Sequence, residues 1–288
     1  MKKTLLLGNG INLLFEGESW KQLLIDISGD PHFSSELPMP LRVVLATNNH
    51  VDEGVKRISE GMRGTVIKEE HRSILREILA YGFNDIITTN YSYELEIAST
   101  EKCAISNYAL DKMRNTTQER KRVETRYLIH TYNEVTYNNH SNRIWHIHGE
   151  ARNPSGMVLG HYYYGNLLAR IKEYVKLLDN RYLNSEMLGE EPEIKSWIDS
   201  FILNEIYVLG FGFDFSEMDL WWLLERKNRE KACHGRVHFF CPEWEMDIGE
   251  KVKLLKSYGV DVHGSEINVC DNDYASYYKA ALSIIGNL

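Results

Sequence analysis

The sequence has no two cysteines close enough to form a C-x-x-C ligand pair. Cys103, Cys233, Cys241 and Cys270 stand far apart, so a four-cysteine zinc site is not expected. No apolar run approaches the ~20 residues that a membrane-spanning helix needs. A usable secretory leader is missing as well: Leu5-Leu6-Leu7 follows a basic start, but Gly8-Asn9-Gly10 cuts the apolar stretch short. These absences predict a cytoplasmic protein with reduced cysteines. Excess positive charge is also lacking. The net charge is −8 and the pI ≈ 5.8, which disfavours unaided binding to nucleic acid or to an anionic membrane. There is no internal repeat and no low-complexity segment. What is present is ordinary for a globular chain: 43% hydrophobic and 26% charged residues in 288. That length predicts a single domain over 1–288, with added modules.

The stretch that orders the rest is Leu5-Leu6-Leu7-Gly8-Asn9-Gly10-Ile11-Asn12. A short apolar run ended by Gly-x-Gly reads as a buried strand feeding a tight turn. Glycine has no Cβ, so a phosphate or ribose can come close to the backbone. A helix after the turn would aim unpaired N–H groups at an anion. The third glycine of the dinucleotide fingerprint is missing, because Leu13 stands there, and no acid-ended strand follows at the usual distance.

Further strands are predicted at Asp85-Ile86-Ile87-Thr88-Thr89, Arg143 to Gly149, Glu205 to Gly210, Arg236 to Cys241 and Gly259 to His263. Helical patterns separate them. The prediction is therefore α/β: a Rossmann-like, doubly wound, mostly parallel six-stranded sheet with helices on both faces. Helical or irregular modules are expected at about 30–80, 100–142 and 160–203. The middle one is polar, with Arg114, Arg120, Lys121, Arg122 and Arg126 crowded together, and reads as a solvated connector.

Ligands of open parallel sheets bind beyond the carboxyl ends of the strands. Four ends here are glycine-rich or polar: Gly8-Asn9-Gly10, Thr88-Thr89-Asn90, His146-Ile147-His148-Gly149 and Gly210-Phe211-Gly212. His148, beside Gly149, is placed to act as a general base or a donor to substrate, or else is a histidine hydrogen-bonded at a strand end. His146 reads as the latter. On a strand the two would face the same way, but a metal would need a third ligand and none stands at recognisable spacing, so no metal is expected. The Asn90 amide can hold a ribose hydroxyl or a water, or cap the next helix. Asp214 and Asp219 flank a helix start, where one of them would cap.

In order and spacing, Gly8-Asn9-Gly10-Ile11-Asn12, Thr88-Thr89-Asn90-Tyr91, His148-Gly149 and Gly210-Phe211-Gly212-Phe213 resemble the sirtuin-like (silent information regulator) superfamily. The nearer likeness is to the bacterial antiphage-defence members. The abortive-infection H family shares the opening Gly-Asn-Gly loop and a later His-Gly. The resemblance implies that NAD binds as substrate. Gly8, Asn9, Gly10 and Asn12 would lie along the pyrophosphate. Asn90, flanked by Thr89 and Tyr91, would hold the ribose, with His148 as the catalytic histidine next to Gly149. Gly210, Gly212 and Asp214 would approach the adenosine half. It further implies hydrolysis of NAD to nicotinamide and ADP-ribose by an abortive-infection effector, controlled by homo-oligomerisation or by a partner protein that senses infection. A non-catalytic module sensing NAD or ADP-ribose is the alternative. Ser92 stands where the family usually carries Asp, and Asn12 where serine is common. The zinc cysteines of the deacetylases are absent, which favours hydrolysis over deacetylation.

Overall fold

The structure, a computed structural model, describes residues 2–15, 20–63, 65–117, 124–188, 193–229, 235–242 and 249–288. Its strands are β1 (Lys3–Leu7), β2 (Asp85–Thr88), β3 (Arg114–Thr116), β4 (Thr131–Tyr137), β5 (His140–His146), β6 (Glu205–Leu209), β7 (Val237–Phe240) and β8 (Val260–His263). They form one sheet in the order β3-β4-β5-β2-β1-β6-β7-β8. From β5 to β8 every pairing is parallel. These six are the strands that the apolar runs predict.

Along β1 the side chains divide between two cores. Leu5 and Leu7 enter one layer with Ile86, Tyr207 and Leu209, while Leu6 enters the other with Ile87, Ile206 and Val208. This is the period-two alternation of a strand buried on both faces. Each fully buried leucine contributes about 1.5–3 kcal/mol. The first layer is covered by α1 (Trp20–Ser28), α2 (Met39–Ala46), α3 (Val51–Arg63), α4 (Glu69–Ala80) and α5 (Glu94–Ala98), with α6 (Asn107–Met113) beside them. The second is covered by α7 (His161–Leu188), α8 (Trp197–Leu203), α9 (Met218–Arg229) and α10 (Gly249–Ser257). The final helix, α11 (Tyr274–Asn287), returns to the first layer through Tyr277, Tyr278 and Ala281.

Two strands exceed the six predicted, and both lie in the 100–142 module, which is therefore not wholly helical or irregular. β4 pairs antiparallel with β5, and β3 with β4. In β4 one face is buried and the other is open, so its apolar content is too low to read as a core strand. The link to β5 is Asn138-Asn139, with φ of 48° and 62°, a two-residue hairpin turn that asparagine tolerates. Arg120, Lys121 and Arg122 lie outside the described residues. Regular strand also stops sooner than predicted, by one residue in β2, β6 and β7 and by three in β5, which ends at His146 with residues 147–148 forming a turn.

Lys227 of α9 reaches the carboxyl end of α8. Its Nζ donates to the carbonyls of Phe201 at 3.1 Å, Ile202 at 2.8 Å and Asn204 at 2.8 Å. No helix among the described residues is long and apolar enough to cross a membrane.

Candidate active site

From β1 the chain moves to one side of the sheet, through β2 and β5. It then crosses back to build β6, β7 and β8 on the other side. The crevice at this reversal, over the carboxyl ends of β1 and β6, is where an open parallel sheet binds its ligand. A cavity of about 430 Å³ lies at these strand ends, within the size range of small-ligand sites.

Of the residues predicted for the site, Asn9, Gly10, Thr89, Asn90, Tyr91, His148, Gly210, Gly212 and Asp214 line this cavity. Gly8, Asn12 and Gly149 do not. Gly8 sits beneath, and its carbonyl accepts the Asn90 Nδ2–H at 3.4 Å. The Asn12 side chain turns back to donate to Asn9 Oδ1 at 2.6 Å. Gly149 takes φ of 91° in the turn after His148, and a Cβ there would lie 2.5 Å from the Gly156 carbonyl oxygen.

The first loop also departs from the helix predicted after it. Residues Asn9–Phe15 form a 3-10 helix. The amides of Gly8 and Gly10 are taken by the carbonyls of Leu209 at 3.0 Å and Gly210 at 2.7 Å. These N–H groups tie β1 to β6 and are not offered to an anion. The glycines serve close approach between the two strand ends.

Asn90 is 5% exposed. Its amide N–H donates to Thr88 Oγ1 at 3.1 Å, and its Oδ1 is buried with no hydrogen-bond partner among the described residues. A buried acceptor left unpaired costs about 1–3 kcal/mol, so a ligand hydroxyl there would recover energy. Ser92, at the position where the resemblance expects Asp, donates its hydroxyl to Glu94 Oε1. A carboxylate therefore still stands below this loop, supplied two residues later. Burial pushes the Glu94 carboxyl upward, and the Ser92 hydrogen bond opposes it.

His148 is almost wholly buried. Its Nε2–H donates to Asp219 Oδ2 at 2.9 Å, with Glu217 Oε2 at 3.7 Å. Tyr164 Oη lies 3.5 Å from both His148 Nδ1 and Glu217 Oε1. Burial alone would lower the His148 pKa, but Asp219 and then Glu217 more than offset this and raise it. Burial pushes the Glu217 carboxyl upward, against the pull of His148. Three of these groups escaped the sequence reading. Asp219 caps nothing: it sits in the first turn of α9 and points at His148. Its neighbour Asp214 opens the turn instead, accepting from Ser216 N at 2.9 Å and Ser216 Oγ at 2.6 Å. Tyr164 sends no separate signal, being the last of three consecutive tyrosines at 162–164.

His146 and His148 do not face the same way. Because strand geometry ends at His146, its ring points under the Asn90 loop, while that of His148 lines the cavity. His148, Glu217 and Asp219 each present one atom within 4.8 Å of the others. The 2.9 Å separation of His148 Nε2 and Asp219 Oδ2 is a hydrogen-bond length, and we read the cluster as sharing protons.

The arrangement can hold a sugar by an amide, move a proton at an imidazole backed by a carboxylate, and exclude water with Tyr91, Tyr164 and Phe211. The model of the family described as SIR2-like domain matches residues 84–263, more than half of the chain. No curated protein matches the sequence.

Proposed function

The chain belongs to the SIR2-like family, and from that premise we propose that it is an NAD-consuming enzyme that cleaves the nicotinamide–ribose bond. The products are nicotinamide and ADP-ribose. One observation carries this reading: Asn90, with an unpaired buried oxygen, and His148, backed by Asp219, meet in one cavity at the β1–β6 crevice.

Breaking this bond builds oxocarbenium character at the ribose carbon, as in glycoside cleavage. The electron pair leaves with nicotinamide, which is neutral on departure and needs no acid. Water then adds to that carbon and gives up a proton. Asn90 Oδ1 accepts from a ribose hydroxyl and fixes the sugar for attack. His148 takes a proton from a ribose hydroxyl or the water, and Asp219 orients the ring and balances its charge.

Such an enzyme depletes its own cell of NAD, so it must be silent until triggered. We assign it to the effectors of antiphage defence, acting in the cytoplasm. Its control falls to a homo-oligomer or to a partner protein that senses infection. The test is direct. Purified chain is incubated with NAD and free nicotinamide is followed by chromatography, alongside Asn90→Ala and His148→Ala. Release by the parent and loss in both variants supports the proposal. Saturable NAD binding with no release, even with a partner encoded nearby, would favour the sensing module instead.

A further inference from the structure

His146 reads from sequence as a packed strand-end histidine, yet its contacts are not those of filler. Its Nδ1 lies 2.8 Å from the main-chain carbonyl of Asn90, which can only accept, so Nδ1 carries a proton. Its Nε2 lies 2.9 Å from Glu96 Oε1, and the same oxygen accepts from Asn133 Nδ2 at 2.8 Å. That oxygen accepts from both sides, so Nε2 carries a proton too. The ring is an imidazolium 2% exposed, against a carboxylate 1% exposed. The other titratable groups around it are Glu94 on α5 and Glu150 after β5, the latter paired with Arg114 of β3. The edge of the Tyr93 ring packs on it at 5.5 Å.

A buried ion pair is costly, and an apolar pair of the same volume would often serve stability as well. What it adds here is placement. The main chain joins the ends of β2 and β5 through Ile147 N–H to the Thr88 carbonyl at 3.0 Å. The His146 side chain adds a second tie two residues further on, at Asn90 itself. The turn carrying His148 is closed by Gly149 N–H onto the His146 carbonyl at 3.0 Å. Asn90 and His148 thus hang from one residue, the first by its ring and the second by its backbone. Besides this tie, Asn90 donates its backbone N–H to Thr88 Oγ1 at 3.1 Å and its Nδ2–H to the Gly8 carbonyl at 3.4 Å, and neither of these reaches β5.

We propose that His146, backed by Glu96, is a positioning residue that sets the spacing and direction of Asn90 relative to His148. The consequence for turnover rests on the NAD-cleavage reading, whereas the coupling of His146 to Asn90 does not. Two readouts separate them. The first is the Asn90 amide resonance in isotopically labelled protein, followed against pH in the parent and in the near-isosteric Glu96→Gln. Positioning predicts that the Asn90 signals move as His146 loses its proton. In Glu96→Gln that inflection shifts to lower pH, because the carboxylate favouring the imidazolium is gone. The second readout is nicotinamide release per folded molecule. Glu96→Gln and His146→Gln lose roughly 10- to 100-fold in kcat, as expected for a misplaced reacting group. NAD affinity changes less than about threefold. The alkaline limb of the rate profile moves with the Asn90 signal.

If Asn90 does not respond to His146, or the inflection stays put in Glu96→Gln, positioning is overturned whatever the rates. If Asn90 responds as predicted but the parent releases no nicotinamide, the cleavage reading falls and the positioning stands. If the parent turns over and Glu96→Gln does so equally fast with an unchanged limb, the pair is structural only.

Discussion

Gly10 donates its amide to the Gly210 carbonyl at 2.7 Å, and a Cβ on Gly10 would lie only 2.7 Å from that same oxygen. The two strand ends touch backbone to backbone, with no space for a side chain between them. Gly10→Ala should therefore push the first loop off β6, destabilising the fold by about 1–3 kcal/mol, as overpacking does. NAD affinity should fall with it. Gly165→Ala on α7, outside the cavity lining, is the control, since a Cβ there meets nothing within 4 Å. Urea denaturation together with calorimetric NAD titration of both variants checks this, and equal behaviour would remove the close-approach argument.

Asp219 is fully buried and holds the His148 ring. Asp219→Asn keeps the shape but removes the charge, so the His148 pKa must fall. By analogy with other carboxylate-oriented histidines, nicotinamide release should drop by roughly 10²–10⁴-fold. Imidazole NMR titration and a rate measurement on the same sample read both effects.

The His146–Glu96 pair also makes a statement about pH. Burial opposes the His146 charge, but Glu96 prevails and raises its pKa from 6.5 to about 9. A group raised in the folded state contributes stability that is fully present below its unfolded pKa. That contribution is lost as pH rises through the folded one. For His146 it is complete below about 6.5 and fades toward pH 9. Glu96 has the opposite sign: burial is outweighed by His146, its pKa is lowered, and its share is lost only in acid. Glu96→Gln should cost a few kcal/mol at neutral pH, roughly the linkage energy of the upward His146 pKa shift that the carboxylate sustains. The deficit should shrink above pH 9. Urea unfolding of parent and variant at several pH values gives the difference directly, and a pH-independent gap would contradict it.

Lys227 makes a case that does not involve the cavity. Burial pushes its ammonium down to about 7, yet three carbonyls accept from it. Lys227→Met keeps the stem and removes the donors, leaving buried acceptors unpaired at about 1–3 kcal/mol each if nothing replaces them. The urea midpoint should drop markedly, while nicotinamide release by the still-folded fraction stays at the parent's rate.

How far the sequence carried depends on which signal each residue sends. β1, β2, β6 and β7 are buried on both faces and read as apolar runs. β4 is buried on one face only, and its best cue was local, the Asn138-Asn139 turn before β5. Asn90 and His148 were legible because they stand at strand ends, where packing rarely asks for them. Asp219 and Glu217 were not, because an acid at a helix start ordinarily caps it, and only the fold, by setting the start of α9 against the turn after β5, brings these two to His148. Tyr164 was hidden in the Tyr162-Tyr163-Tyr164 triplet. The direction of the His146 ring depended on β5 ending one residue before Ile147, which no periodicity reveals.

β1 is paired from Lys3 to Leu7 with β6, from Glu205 to Leu209. Some two hundred residues must leave the ribosome before that edge is covered. Until then Leu5-Leu6-Leu7 has only β2 beside it, and one row of its backbone groups is open to any other strand. The candidate crevice lies on this seam, so under the proposed function a nascent chain has no NAD site until β6 has been made. An enzyme whose substrate its host cannot spare would thus be harmless throughout most of its own synthesis.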